Sequence, residues 1–252
     1  EKADADLASL TADITYDRVF EIAGDRQIRK GRLYFVDPRN DPGANQPGAP
    51  AKPRKFAIDF KTLQVGNRID QQDKIMIFDG KWLVEKMPKD KQFIKRQVVA
   101  EGEKFDPLRV GEGPFPLPIG QKRDDILARY DAQLLPAEDG VIGQEPQKKP
   151  KETEALIAHV KGSAQLKLTP KAARADSDEF TEIRLWYFSD PDHSNRLLPK
   201  MARTINRAGD ISIVRLDSVM PNSPVPADVL DTSTPPKDWD ARVEELPPPN
   251  RR

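Results

Sequence analysis

Proton transfer near neutral pH falls first to histidine, and this chain has two, His159 and His193. His159 stands between Ala158 and Val160 in an apolar run, with no nearby spacing that would supply further metal ligands. Asp190-Pro191-Asp192-His193 gathers oxygen and nitrogen ligands, but Asp-Pro-Asp between two extended runs is turn chemistry before it is metal chemistry. Gly111-Glu112-Gly113 lacks the third glycine and the following helix of a phosphate cradle. The run Glu85 to Arg96 mixes charge signs, as the solvated face of a hairpin does. There is no cysteine, which removes disulfides, thiolate zinc sites and cysteine nucleophiles together. No Gly-x-Ser-x-Gly elbow is present either, so a hydrolase of the elbow type has no nucleophile to build on. These residues predict no metal, no cofactor and no enzyme.

What is left to do chemistry is apolar. Between Phe105 and Gly120 the chain reads Phe105-Asp106-Pro107-Leu108 and then Pro114-Phe115-Pro116-Leu117-Pro118-Ile119. Its prolines favour extended backbone and forbid a sheet ladder. Burying Phe115, Leu117 and Ile119 would stabilise by about 1.5 to 3 kcal/mol each, enough to hold this loop against a sheet. It is either a fixed lid on a core or a movable lid over a greasy cavity.

The elements that must position such a lid are strands. Leu10, Ala12, Ile14 and Tyr16 alternate with polar residues, and Phe20 and Ile22 resume the phase after Arg18, which suggests one long strand with a bend. Further runs follow from Ile28 to Val36, Lys55 to Phe60, Leu63 to Ile69, Lys74 to Phe78, Trp82 to Lys86 and Phe93 to Val99, then from Ile157 to Leu168, Phe180 to Phe188, Leu197 to Ile205 and Ile211 to Val219. With the first counted, there are eleven. Asp79-Gly80, Pro88-Lys89-Asp90-Lys91 and Ala208-Gly209-Asp210 read as tight turns that join neighbours antiparallel. One segment keeps a helical period: over Gln121 to Leu135, Ile126, Leu127, Tyr130 and Leu134 share a stripe, with Asp124 and Asp125 in the opening turns and Pro136 as the stop.

Three stretches read as irregular. Asp37 to Arg54 holds five prolines and two glycines in eighteen residues and is expected to be a flexible insertion. Ala137 to Thr153 is a polar loop, and the tail 220–252, with eight prolines, is expected to run over the surface. None has a core of its own, so residues 1–252 form a single domain. The charge balance of 41 basic and 41 acidic residues argues against nucleic acid as the main partner, and no apolar stretch approaches a transmembrane span. The chain begins at Glu1 with no visible signal peptide, which is expected of a trimmed or processed export product.

The order of motifs resembles a known family. Gly31-Arg32-Leu33-Tyr34-Phe35-Val36-Asp37-Pro38, Arg54-Lys55-Phe56-Ala57-Ile58, Phe78-Asp79-Gly80-Lys81-Trp82-Leu83 and Pro88-Lys89-Asp90-Lys91-Gln92 are similar to the succession in the outer-membrane lipoprotein carrier family, the LolA-like proteins. Leu166-x-Leu168-x-Pro170-Lys171, Ile183-x-Leu185 and Asn206-x-x-Gly209 followed by Ile211-x-Ile213 continue the likeness, which covers about Leu7 to Trp239. The resemblance implies an incomplete antiparallel β-barrel of about eleven strands, with helices packed on the concave face as a lid, in a periplasmic protein. It implies a chaperone-like, non-enzymatic carrier whose cargo is the acyl chains of lipoproteins or lipids bound for the outer membrane. The implied partners are the inner- and outer-membrane lipoprotein-sorting proteins. In the family an arginine before the proline that ends the second strand helps to latch the lid. Here that position is Asp37, an acceptor in place of a donor fork, so the latch does not carry over, and Arg39 and Arg54 are the nearby donors.

On this reading Ile14, Tyr16, Leu33, Phe35, Phe56, Ile58, Ile75, Ile77, Trp82 and Leu185 are the cavity candidates, and Phe115, Leu117, Ile126, Leu127 and Tyr130 the lid. The rival is an envelope structural or regulatory protein of the same fold, with its inner face filled, that binds protein partners through its loops and carries no lipid.

Overall fold

The computed structural model describes residues 6–40, 52–100, 110, 119, 123–141, 150–189, 198–235 and 237–247. Twelve strands make one sheet: β1 (Ser9–Phe20), β2 (Asp25–Val36), β3 (Lys55–Val65), β4 (Arg68–Phe78), β5 (Trp82–Met87), β6 (Gln92–Gln97), β7 (Tyr130–Leu135), β8 (Ala164–Pro170), β9 (Phe180–Tyr187), β10 (Pro199–Asn206), β11 (Ile211–Pro221) and β12 (Asp240–Glu244). Among the described residues the α-helices are α1 (Arg123–Leu127) and α2 (Pro150–Val160). The spatial order is β12-β6-β5-β4-β3-β2-β1-β11-β10-β9-β8-β7, with two free edges, so the sheet does not close. Every pairing is antiparallel except β12 with β6.

The register assigns each strand residue to a face. Leu10, Ala12, Ile14 and Tyr16 of β1 pair with Phe35, Leu33, Gly31 and Arg29 of β2, and Phe35 and Leu33 pair in turn with Phe56 and Ile58 of β3. These side chains, with Phe60, Phe78, Val214 and Leu216, form the largest buried cluster, covered by Leu7, Val99, Ile119 and Leu198 from outside the strands. We call this the inner face. Next to it Ile183, Leu185, Ala202 and Leu168 take Ile126 of α1 and Tyr130. On the outer face Val19, Trp186, Met201, Ile211 and Ile213 are covered by Leu156 and Val160 of α2. A second outer cluster of Ala57, Ile77, Val84 and Phe93 lies under Leu230 and Trp239 of the tail.

Several sequence expectations are corrected here. The break in alternation between Phe60 and Leu63 does not end a strand. It is a bulge, because the register of β3 slips between Phe60 and Thr62 against β4, and between Lys30 and Gly31 against β2. The helical stripe expected over Gln121 to Leu135 stops at Leu127, and from Tyr130 the chain is β7, with Leu134 77% exposed. The backbone groups of β8 find partners there, which outweighs a weak helical period. Conversely, α2 takes the last residues of the polar loop expected over Ala137 to Thr153, from Pro150, and the start of the strand expected over Ile157 to Leu168, which begins at Ala164 instead; its Leu156 and Val160 are spaced one helical turn apart on the outer face. His159 is therefore a helix residue, with Nε2 3.4 Å from the Lys200 carbonyl and Nδ1 3.4 Å from Asp217. The tail, expected to be irregular over the surface, contains a strand: β12 extends the sheet, Lys86 and Lys95 donate to the carbonyls of Asp231 and Thr232, and Thr232 Oγ1 donates to Asp79. The insertion between Asn40 and Lys52 and the Asp190–His193 cluster fall outside the described residues, as does Gly111-Glu112-Gly113.

Gly31 is required by a close approach. A Cβ there would stand 2.0 Å from the Asp59 carbonyl oxygen, where the bulged β3 crosses it. We expect Gly31→Ala to destabilise the protein by about 2 kcal/mol or more in chemical denaturation, since the contact is with backbone that cannot rotate away. On the outer face Glu182 accepts from Arg184 Nε at 2.7 Å and Arg203 Nη1 at 3.2 Å, with Lys167 Nζ at 3.0 Å. Burial alone would raise its pKa, but hydrogen bonds and charge from Arg184 and Lys167 outweigh it and hold the carboxyl below its ordinary value. A lowered folded-state pKa contributes stability above the unfolded value that is lost as pH falls through the folded one. Glu182→Gln should therefore lower the melting temperature at pH 7 and narrow the gap to wild type in the acid limb below about pH 4.

Candidate functional site

The space on the inner face lies toward one end of the strands, away from the filled cluster. A cavity of about 340 Å³ is lined by Tyr16, Arg18 and Phe20 of β1, Gln27 and Arg29 of β2, Phe60 of β3, Lys74 and Met76 of β4, Phe180 of β9 and Thr204 of β10, with Ser212 and Asp210 nearby. β4 and β9 are six strand positions apart in the sheet. Strands about 4.8 Å apart would put them nearly 30 Å from each other in a flat sheet. One space of this volume can touch both only because the sheet curls, so the inner face is the concave one.

The location follows from where each strand stops being apolar. Along β1 the inner positions run Leu10, Ala12, Ile14, Tyr16, Arg18, Phe20, and along β2 Phe35, Leu33, Gly31, Arg29 and Gln27. At one end, small and branched residues interlock; at the other, long side chains with polar ends cannot fill the space between strands. The β3 bulge after Phe60, opposite Gly31, bends the sheet at the same level.

The ten cavity candidates from the sequence are thus placed in three ways. Tyr16 lines the space. Ile14, Leu33, Phe35, Phe56, Ile58 and Leu185 point to the inner face but are at most 2% exposed within its packed clusters. Ile75, Ile77 and Trp82 stand on the outer face under the tail, and Trp82 also carries Lys95 Nζ 5.1 Å from its ring. Lys74-Ile75-Met76-Ile77-Phe78 is apolar on both faces, so alternation alone does not choose; pairing of Phe78 with Phe56 and Met76 with Ile58 turns Ile75 and Ile77 outward. Of the lid candidates, Phe115 and Leu117 lie outside the described residues. Ile126 and Leu127 are half-buried on α1, while Tyr130 is fixed in β7, its hydroxyl 3.3 Å from Asp178 Oδ1. Burial, then the Asp178 charge, pushes the Tyr130 pKa up, so the phenol keeps its proton.

Arg18, Arg29, Phe60, Met76 and Phe180 were not singled out as site residues by the sequence reading. A signal was present: an arginine at an inner-phase position on each of two adjacent strands breaks an otherwise apolar face. Asp37, at the position where the resemblance implied a latch, is buried and held by Arg39, whose Nε donates to Oδ1 at 2.7 Å. Arg54, just before β3, instead donates from Nη1 to the Ile119 carbonyl and ties the end of the proline-rich segment to the sheet. Among the described residues no three histidine or carboxylate side chains gather to hold a metal ion, and no described helix is long and apolar enough to cross a membrane.

No family model matches this chain, and no curated protein matches it. Its course is similar to those of several solved structures at low identity. An uncharacterized conserved protein from Thermus thermophilus shares 12% identity at a TM-score of 0.43, over 97% of this chain and 95% of that one. LprF from Mycobacterium bovis shares 13% at 0.37, over 89% and 90%. A LolA superfamily protein from Nitrosomonas europaea shares 9% at 0.33, over 91% and 94%.

If Arg54 holds down the segment that ends at Ile119, Arg54→Gln should raise amide hydrogen exchange in peptides containing Ile119 by about tenfold, the usual worth of a charged hydrogen bond. Exchange in β1 and β11 should not change; exchange rising everywhere would mean a fold defect instead.

Proposed function

We propose that this chain is a non-enzymatic periplasmic binding protein that shelters an acyl chain of a lipoprotein or lipid on its way to the outer membrane. The observation that carries this reading is the cavity on the concave face, floored by Tyr16, Phe60, Met76 and Phe180. Each methylene moved from water into such a floor contributes about 0.8 kcal/mol, which a hydrocarbon tail cannot obtain in an aqueous compartment. A volume of about 340 Å³ sits at the lower end of small-molecule sites, roughly 300–1,000 Å³. It suits one acyl tail better than a multi-chain anchor. In this reading α1, with Ile126 and Leu127, swings aside, while Tyr130 stays with the sheet. Inner- and outer-membrane sorting proteins would load and unload the cargo.

One observation favours the rival reading of an envelope structural or regulatory protein without lipid: six of the ten expected cavity residues, Ile14, Leu33, Phe35, Phe56, Ile58 and Leu185, are packed core. Extraction of the purified full chain followed by lipid mass spectrometry separates the two. Carriage predicts about one acyl lipid per chain, with a several-fold loss in Met76→Trp, which fills the floor; because Met76 also borders the filled cluster, an unchanged thermal melt of the variant shows that the loss is not a fold defect. A wild type that carries no lipid, and takes none up from detergent-solubilised lipid, would leave the rival standing.

A further inference from the structure

Three cations interrupt the apolar inner face at the cavity, and they are not equivalent. Lys74 is committed within the sheet, its Nζ 2.6 Å from Glu85 Oε2. Arg18 lies 4.4 Å over the Phe20 ring and reaches Asp210 only at 3.4 Å, while its Nε is buried with no hydrogen-bond partner. Arg29 is half-buried, and among the described residues no hydrogen bond or ion pair holds it. Two carboxylates share the space with them. Asp210 is occupied by Arg18, the Glu21 backbone N–H at 3.1 Å and Asn206 Nδ2 at 3.3 Å, and Glu179 is an exposed side chain at the edge.

The register brings the two guanidinium groups together. Arg29 pairs directly with Tyr16, and Arg18 with Gln27, so the arginines are diagonal neighbours on one face. Burial first, and then the charge of Arg18, lower the Arg29 pKa. Arginine nevertheless remains protonated in proteins, so two like charges persist side by side against an aromatic floor. Such an arrangement is costly in an empty site and favourable when an anion accepts from both forks.

We propose that the cavity selects an amphiphile with one hydrocarbon tail and an anionic head group, carboxylate or phosphate. Arg29 holds the head group and the Arg18 guanidinium beside it adds a second positive charge, with the tail along Tyr16, Phe60, Met76 and Phe180. This rests on the acyl-binding reading above. It adds that charge, and not hydrocarbon alone, decides what is bound.

The test uses the full chain and three twelve-carbon probes, laurate, dodecyl phosphate and dodecanol, titrated by calorimetry below the critical micelle concentration of the two anions and the solubility limit of the alcohol. The anionic probes should bind at least about tenfold tighter than the alcohol, as charged hydrogen bonds outweigh neutral ones; the tighter of the two identifies carboxylate or phosphate as the head group. Arg29→Gln should bring the anion-to-alcohol ratio near one, and Arg29→Lys, which keeps the charge but loses the fork, should restore part of it. Thermal melts of both variants exclude misfolding, and the wild-type ratio needs no variant at all. Equal binding of all three probes by wild type would overturn head-group selection and leave acyl binding intact. Binding of none would overturn the acyl reading itself.

Discussion

Everything in this molecule hangs on one ladder between distant parts of the chain, β1 with β11. From β1 to β6 and from β7 to β11 the sheet is two meanders in which each strand pairs with its neighbour in sequence. The two meanders become one surface only where Ile14 meets Leu216, Tyr16 meets Val214 and Val19 meets Ile211, about two hundred residues apart. The inner cluster draws on both sides of that seam, with Leu33, Phe35 and Phe56 from one meander and Val214 and Leu216 from the other. The cavity does so too, reaching from Met76 to Phe180. Without this seam there would be two sheets, each with an exposed apolar face, and no concavity between them. The closure entropy of such a long loop is offset by apolar burial on the inner face, the dominant favourable contribution to a fold of this size.

The concave face is graded rather than uniform. At one end the branched and aromatic residues of β1, β2 and β3 are packed to near-complete burial, while at the other Arg18, Arg29 and Lys74 enter the same face. Cations cannot be packed against hydrocarbon without partners, so the chain leaves room there. Lys74 is relieved by Glu85 inside the sheet and Arg18 partly by Asp210. The packed end therefore supplies stability, and the open end holds the space. Residues that are plainly inward, such as Ile58 and Leu185, belong to the packed part of this division.

The outer face is covered by what looked least structured. α2 seals Val19, Trp186 and Met201, and the tail lays Leu230 and Trp239 over Ile77 and Phe93 before β12 joins the sheet beside β6. A curled sheet needs its convex face shielded wherever that face is apolar, and otherwise offers edges to other strands. Here polar pairs shield the centre, among them Arg26 with Asp17 at 2.7 Å, and the helix and tail cover the two flanks.

The sequence by itself determined that this is a mainly antiparallel β protein. Alternation and turn chemistry are local, and Leu10 to Phe20 or Asp79-Gly80 carry their conformation in their own residues. The same local rules misread Tyr130 to Leu135, whose fate was set by the unpaired edge of β8, and Pro150 to Val160, whose polar composition hid the spacing of Leu156 and Val160. Only the tertiary structure decided which of two apolar faces each strand turns inward, as at Ile75 against Met76. It alone showed that the cavity sits among arginines rather than among the most hydrophobic residues. The physical reason is the two-residue period of a strand: it divides side chains into two sets but does not say which set is inside. That choice belongs to the register of neighbouring strands and to the chain that folds back over them.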